Sequence, residues 1–123
     1  GTNDFQSMHQ LNAWHSAQGV RAIINQIQKS PVEPGMPIPP VLIVVPPLIE
    51  NPKGPIAPKF KGGENKIKGL AEEYEIVSTD LGCHYFDCSS VTTASLVDGI
   101  HLDKNQHHLV GAALSNIVRA VLD

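Results

Sequence analysis

Cysteine is scarce in this sequence: Cys83 and Cys88 are the only two in 123 residues. If the stretch between them is extended, it spans about 16 Å. A disulfide tolerates roughly 7 Å between Cα atoms, so the two are not expected to pair. Free thiols fit a reducing compartment and favour a cytoplasmic location. Long apolar runs are also missing. None approaches the ~18–20 residues needed to cross a bilayer, and no secretory leader is visible in the sequence. Charge of one sign is lacking too. The net charge is −3, and the densest basic run, Lys59 to Lys68, also holds Glu64 and two glycines. There is no electrostatic footprint for nucleic acid or for an anionic membrane surface. No internal repeat is visible.

What is present reads as a globular α/β chain. Hydrophobic residues make up 41% and charged residues 17%, a length and balance suited to one domain. From about Asn12 to Lys29, Ala13, Ala17, Val20, Ile24 and Ile27 recur at steps of four and three, one face of an amphipathic helix. Ser30 to Pro40 holds five prolines and a glycine and must be a loop. Val41 to Val45 is continuously apolar, the pattern of a strand covered on both faces. Pro46-Pro47 ends it, and a loop rich in Pro, Gly and Lys runs to about Gly63. Ile67, Leu70, Ala71, Tyr74 and Val77 mark a second helix that Gly82 closes. His84 to Asp87 is a short candidate strand, and Cys88 to Val97 a loop. Asp103 and Gln106 open a last helix whose buried stripe is Val110, Leu114, Ile117 and Val121. Alternating helices and strands predict parallel pairing. Two strands cannot shield three apolar helix faces, so the chain reads as the later part of a larger sheet.

The strongest chemical signal is Val97-Asp98-Gly99-Ile100-His101-Leu102-Asp103, just before the last helix. An Asp three residues ahead of a His, across a glycine, can fold back so that its carboxylate accepts from Nδ1–H. That fixes the tautomer and frees Nε2 to act as a general base. The same spacing also arises in ordinary surface turns. A metal centre is the competing chemistry, since His101, His107 and His108 are close in sequence and Cys83, His84 and Cys88 add soft ligands. Zinc sites favour tighter paired spacings than these, so no metal is assigned.

Asp98-Gly99-Ile100-His101-Leu102 resembles the last motif block of the SGNH (GDSL) hydrolases. Gly1-Thr2-Asn3-Asp4 resembles their third block, and Val41 to Leu48 their fourth-strand segment with its proline-rich exit. Phe60-Lys61-Gly62-Gly63-Glu64-Asn65-Lys66 and Tyr85-Phe86-Asp87 look like the bacterial aryl-esterase/acyltransferase branch, which includes perhydrolases. The resemblance covers nearly the whole chain. It implies a flavodoxin-like doubly wound parallel sheet, of which residues 1–123 supply the later strands and helices as the C-terminal part of one domain. It also implies a serine ester hydrolase or acyltransferase that acts on small esters through an acyl-serine and needs no cofactor. His101 would be the general base and Asp98 its orienter. The amide of Asn3 would donate to the oxyanion, although by spacing alone Asn3 also reads as an Asx-turn residue. Leu48, Ile49 and Ile100 are candidates to contact substrate, or else core or oligomer-interface residues.

The resemblance stops at the nucleophile. The Gly-Asp-Ser block of the family is absent, and no serine here has its context. Ser95 is too close to Asp98 in sequence to serve. The missing serine is expected on an N-terminal segment of the same protein. The alternatives are a separate chain that carries it or a non-catalytic binding or scaffolding remnant. A carbohydrate deacetylase of the same fold is the nearest alternative activity. Homo-oligomers are common in the branch it resembles, and the 50–63 loop could lie at such an interface.

Overall fold

The computed structural model describes residues 1–30 and 32–123. Pro31, within the loop read over 30–40, lies outside the described residues. The elements in chain order are α1 (Ala13–Lys29), β1 (Leu42–Val45), α2 (Gly63–Lys66), α3 (Leu70–Leu81), β2 (His84–Asp87) and α4 (Lys104–Leu122). Short 3₁₀ turns occupy Thr2–Phe5, Gly54–Phe60 and Cys88–Ser90. All three lie where the sequence shows no helical period. No helix among the described residues is long and apolar enough to cross a membrane.

β1 and β2 pair in parallel, with Leu42 beside His84 and Val45 beside Asp87. Both thiols are free and sit on either side of β2. The core collects Ala17 and Ile24 of α1, Ile43 and Val45 of β1, and Leu70, Tyr74 and Val77 of α3. The helical positions are those that the periodicity picks out, and the burial of this cluster holds the chain together. Truncating one such leucine to alanine typically costs about 2–5 kcal/mol. Polar contacts help to fix α1 on α3. Arg21 donates to Asp80 at 2.7 Å, and the Gln28 amide donates to the Leu81 carbonyl at 2.9 Å. Asn12 caps α1 by accepting from the His15 amide at 3.1 Å, which satisfies an otherwise orphaned donor.

Two expectations need correction. β1 is buried on one side only. Ile43 and Val45 are buried, while Val44 on the opposite face is 38% exposed. The α4 stripe fares similarly: Val110, Leu114, Ile117 and Val121 are half-buried, and no residue of α4 is buried. The apolar pattern is as read, but among the described residues nothing closes over it.

Candidate active site

The loop from Ser95 to Asp103 carries Asp98 and His101. Asp98 accepts three hydrogen bonds from its own loop. Oδ1 takes the amides of Ile100 (2.8 Å) and His101 (3.0 Å), and Oδ2 lies 2.6 Å from His101 Nδ1. The His101 hydrogen bond, helped by those two amides, holds the Asp98 carboxyl down to about 2. The carboxylate is therefore ionised at any working pH and binds Nδ1–H, which leaves Nε2 as the free nitrogen of the imidazole. The His101 side chain is 63% exposed and that of Asp98 is 23% exposed. The imidazole faces outward, and the carboxylate is the more enclosed of the two. Among the described residues no hydroxyl is hydrogen-bonded to Nε2.

A second segment, 49–53, clamps this loop from outside. The Glu50 amide donates to the Gly99 carbonyl and the Lys53 amide to the Asp98 carbonyl, each at 3.0 Å. Lys53 Nζ reaches the Leu96 carbonyl at 3.3 Å. Gly99 has φ +77° and is pressed against the Glu50 and Asn51 carbonyls. Only glycine fits both the backbone conformation and the approach.

The clamp rests in turn on the 60–66 segment. The Asn51 amide donates to Glu64 Oε1. A Cβ on Gly63 would lie 3.1 Å from Ile49 Cδ1 and 3.3 Å from the Phe5 carbonyl oxygen. Gly63 is thus a thin spacer between the Thr2–Phe5 turn and the clamp. Phe5 is fully buried and anchors that turn. Asp4 accepts from Ser16 of α1 at 2.7 Å, and Ser16 Oγ lies 2.8 Å from the Tyr74 hydroxyl of α3. Asn3 is exposed on the turn, and its Oδ1 accepts from the Gln6 amide at 3.1 Å. That bond occupies Oδ1, and among the described residues Nδ2–H donates to no partner. One continuous buttress therefore runs from the Asn3 turn through Gly63, Ile49 and Glu50 to Gly99 and the Asp98–His101 pair.

The three apolar candidates fall in different places. Leu48 is 42% exposed and lines a cleft at the carboxyl ends of β1 and β2, with Val45, Pro46 and Leu70. Asp98 and His101 are not in its lining. Ile49 is 3% exposed, in the core, where it supports the clamp. Ile100 is partly buried against the core. Ser95, the serine nearest the pair in sequence, is 2% exposed with its hydroxyl on Asp103, away from His101. Among the described residues no three His, Cys, Asp or Glu side chains converge as a metal site would need.

No family model and no curated protein matches the chain. Solved structures do. An aryl esterase from M. smegmatis is 31% identical, with a TM-score of 0.91 over 98% of this chain and 58% of that one. A carbohydrate acetylesterase from Sinorhizobium meliloti is 28% identical, with a TM-score of 0.90 over 98% of this chain and 57% of that one. The chain is built like the SGNH-type esterases. It spans a little over half the length of those relatives, which fits the C-terminal portion of such a fold.

Within this SGNH-type frame, the sequence pointed to Asp98, His101 and Asn3 but missed their supports. Glu50 acts through a backbone contact, and Lys53 and Ser95 through both backbone and side chain, none of which a local motif announces. Gln6 carries a weak signal, as a polar residue directly after a buried phenylalanine.

Proposed function

We propose that residues 1–123 form the C-terminal part of a single flavodoxin-like SGNH hydrolase domain that hydrolyses or transfers acyl groups of small esters. The Asp98–His101 pair carries this reading: an ionised carboxylate on Nδ1 and a free, outward Nε2 are what a serine nucleophile needs beside it. The nucleophile comes from a preceding segment of the same protein. Its strands would extend the sheet from the open side of β1, where Ile23 and Ile27 of α1 and Leu42 and Val44 of β1 line an apolar cleft. Surface area supports the same view. The chain exposes 7612 Å², while a self-contained domain of its mass exposes about 6,500 Å².

In the proposed cycle His101 Nε2 takes the proton of the serine hydroxyl as Oγ attacks the ester carbonyl. Asp98 stabilises the imidazolium. Asn3 Nδ2–H donates to the oxyanion, a contribution of about 3–4 kcal/mol for a preorganised donor. Collapse of the tetrahedral intermediate expels the alcohol, which leaves with the proton from His101. Water then attacks the acyl-serine with the same base, releasing the acid and restoring the serine. An alcohol or hydrogen peroxide in place of water gives transfer. The cycle requires no metal or organic cofactor. Ile100, next to His101 in the chain, would contact the acyl or aryl group; Leu48 lies in the separate cleft at the strand ends, and Ile49 sets the clamp from behind. The 50–63 segment, outside its contacts with the dyad loop, is available for self-association of the complete protein.

Similarity to a carbohydrate acetylesterase favours a second reading, in which the ester is an acetylated sugar. Incubating the complete protein with p-nitrophenyl acetate, then acid quenching and peptide mapping, tests the proposal. An acetyl group on a serine outside residues 1–123 is expected. Failure to acylate any serine while turnover proceeds would overturn it. Acyl-chain and acetyl-sugar panels divide the two substrate readings.

A further inference from the structure

Ser95 has no role in the cycle above, yet both its side chain and its backbone are bonded within the dyad loop. It is 2% exposed. Its Oγ lies 2.8 Å from both carboxylate oxygens of Asp103, and it accepts from the Val97 amide at 3.0 Å. Its amide donates to the His101 carbonyl and its carbonyl accepts from the Gly99 amide, each at 2.7 Å. One residue thus grips the loop at 97, 99, 101 and 103. Asp103 is itself fixed at the start of α4, where Gln106 accepts from its amide at 2.7 Å and the His107 amide donates to its carbonyl at 2.9 Å.

The backbone bonds from Ser95 set where Gly99 and His101 sit relative to one another, and so whether Asp98 can reach Nδ1. They hold only while residue 95 is seated, and the hydroxyl–carboxylate bond to Asp103 seats it. A charge-assisted hydrogen bond with a buried donor is stronger than a neutral one and leaves a poorly satisfied group when one partner is removed. Coupling then runs from the rigid N-terminus of α4, through Asp103 and Ser95, to the imidazole.

We propose that the Ser95–Asp103 pair is a positioning device that closes the 95–103 loop into the one shape in which Asp98 orients His101. Ser95 touches no reacting atom, so it is a positioning residue. The inference rests on the esterase reading and adds a residue pair to it.

The test uses the complete protein with p-nitrophenyl acetate, and Ser95→Ala, Asp103→Ala, the double variant, Asp103→Asn and, as reference, His101→Ala. Ser95→Ala should lower kcat about 10- to 100-fold per folded molecule, with KM within about twofold, since a misplaced base affects the transition state more than substrate binding. Asp103→Ala should match it, and the double variant should be no worse than either single one, the mark of two groups acting as one unit. Asp103→Asn keeps an acceptor oxygen and should recover most of the rate. The low-field Nδ1–H proton resonance of His101 at pH 5 should weaken in both alanine variants and persist in Asp103→Asn. Unchanged kcat and an unchanged resonance in Ser95→Ala, whatever its unfolding temperature, would make Ser95 merely structural and overturn the proposal. Those same results alongside a dead His101→Ala would leave the esterase reading standing. Full activity of His101→Ala would remove the reading and the proposal together.

Discussion

Gly99 lies so close to Glu50 that a Cβ on residue 99 would come within 2.0 Å of the Glu50 carbonyl oxygen. The obstacle is backbone, so no side-chain rotation relieves it. The loop carrying Asp98 and His101 is therefore pressed onto the clamp with no room to spare, and Gly99 also needs its positive φ.

Gly99→Ala should push the dyad loop off the clamp. Ester turnover of the complete protein is expected to fall at least 100-fold, with stability reduced by about 1–3 kcal/mol. Steady-state kinetics and thermal unfolding on the same samples check both. Normal turnover would mean the clamp does not place the pair.

Asp98 links stability to acid. Its carboxyl falls from an ordinary 3.8 to about 2 in the folded chain, chiefly through the His101 hydrogen bond. A depressed carboxyl contributes stability that is present above the unfolded value. That stability is lost as pH falls through the folded one, here between about 4 and 2. Asp98→Asn should remove this part of the acid dependence, seen as a flatter denaturant midpoint across that window. At neutral pH the same change should lower kcat by about 10³- to 10⁴-fold, because an amide can hold the imidazole in the wrong tautomer.

How much of this was legible in the sequence follows from the range of each interaction. The β2 bounds and the start of α4 beside Asp103 rest on neighbouring residues, and the chain order displays them. The fold-back of Asp98 onto His101 spans three residues and reads equally well. Gly69, in the left-handed conformation at the start of α3, divides the predicted second helix, and the periodic apolar positions on either side concealed the break. The 3₁₀ turn at Gly54–Phe60 was hidden by its prolines, which suit a loop just as well. The contacts of Glu50 and Lys53 with the dyad loop join segments nearly fifty residues apart in the sequence, and no periodicity reports such a contact. The coverage of β1 and α4 was misjudged for another reason. An apolar pattern says that a face is to be covered, not by which residues.

Asn3 should affect rate and leave stability nearly alone, because it is exposed and the turn is anchored by Phe5 and Asp4 instead. Asn3→Ala is expected to cost about 10²–10³ in kcat with an unfolding temperature close to that of the unaltered protein. A large loss of stability with normal kcat per folded molecule would return Asn3 to the role of a turn residue.

Ile117 distinguishes the complete protein from the chain by itself. It is half-buried on an α4 face that nothing among the described residues closes over. Ile117→Asp should destabilise the complete protein by more than about 2 kcal/mol. In the 123-residue chain, which should bind a hydrophobic dye and unfold non-cooperatively, the same change should matter little. Denaturant titrations of both forms measure the contrast.

A serine ester hydrolase built on this loop depends on His101 as its general base. The most direct measurement is the kcat of the complete protein on p-nitrophenyl acetate with His101→Ala, beside a thermal melt showing that the variant is folded. A loss of several orders of magnitude is expected. A folded variant that loses less than about tenfold would contradict that role.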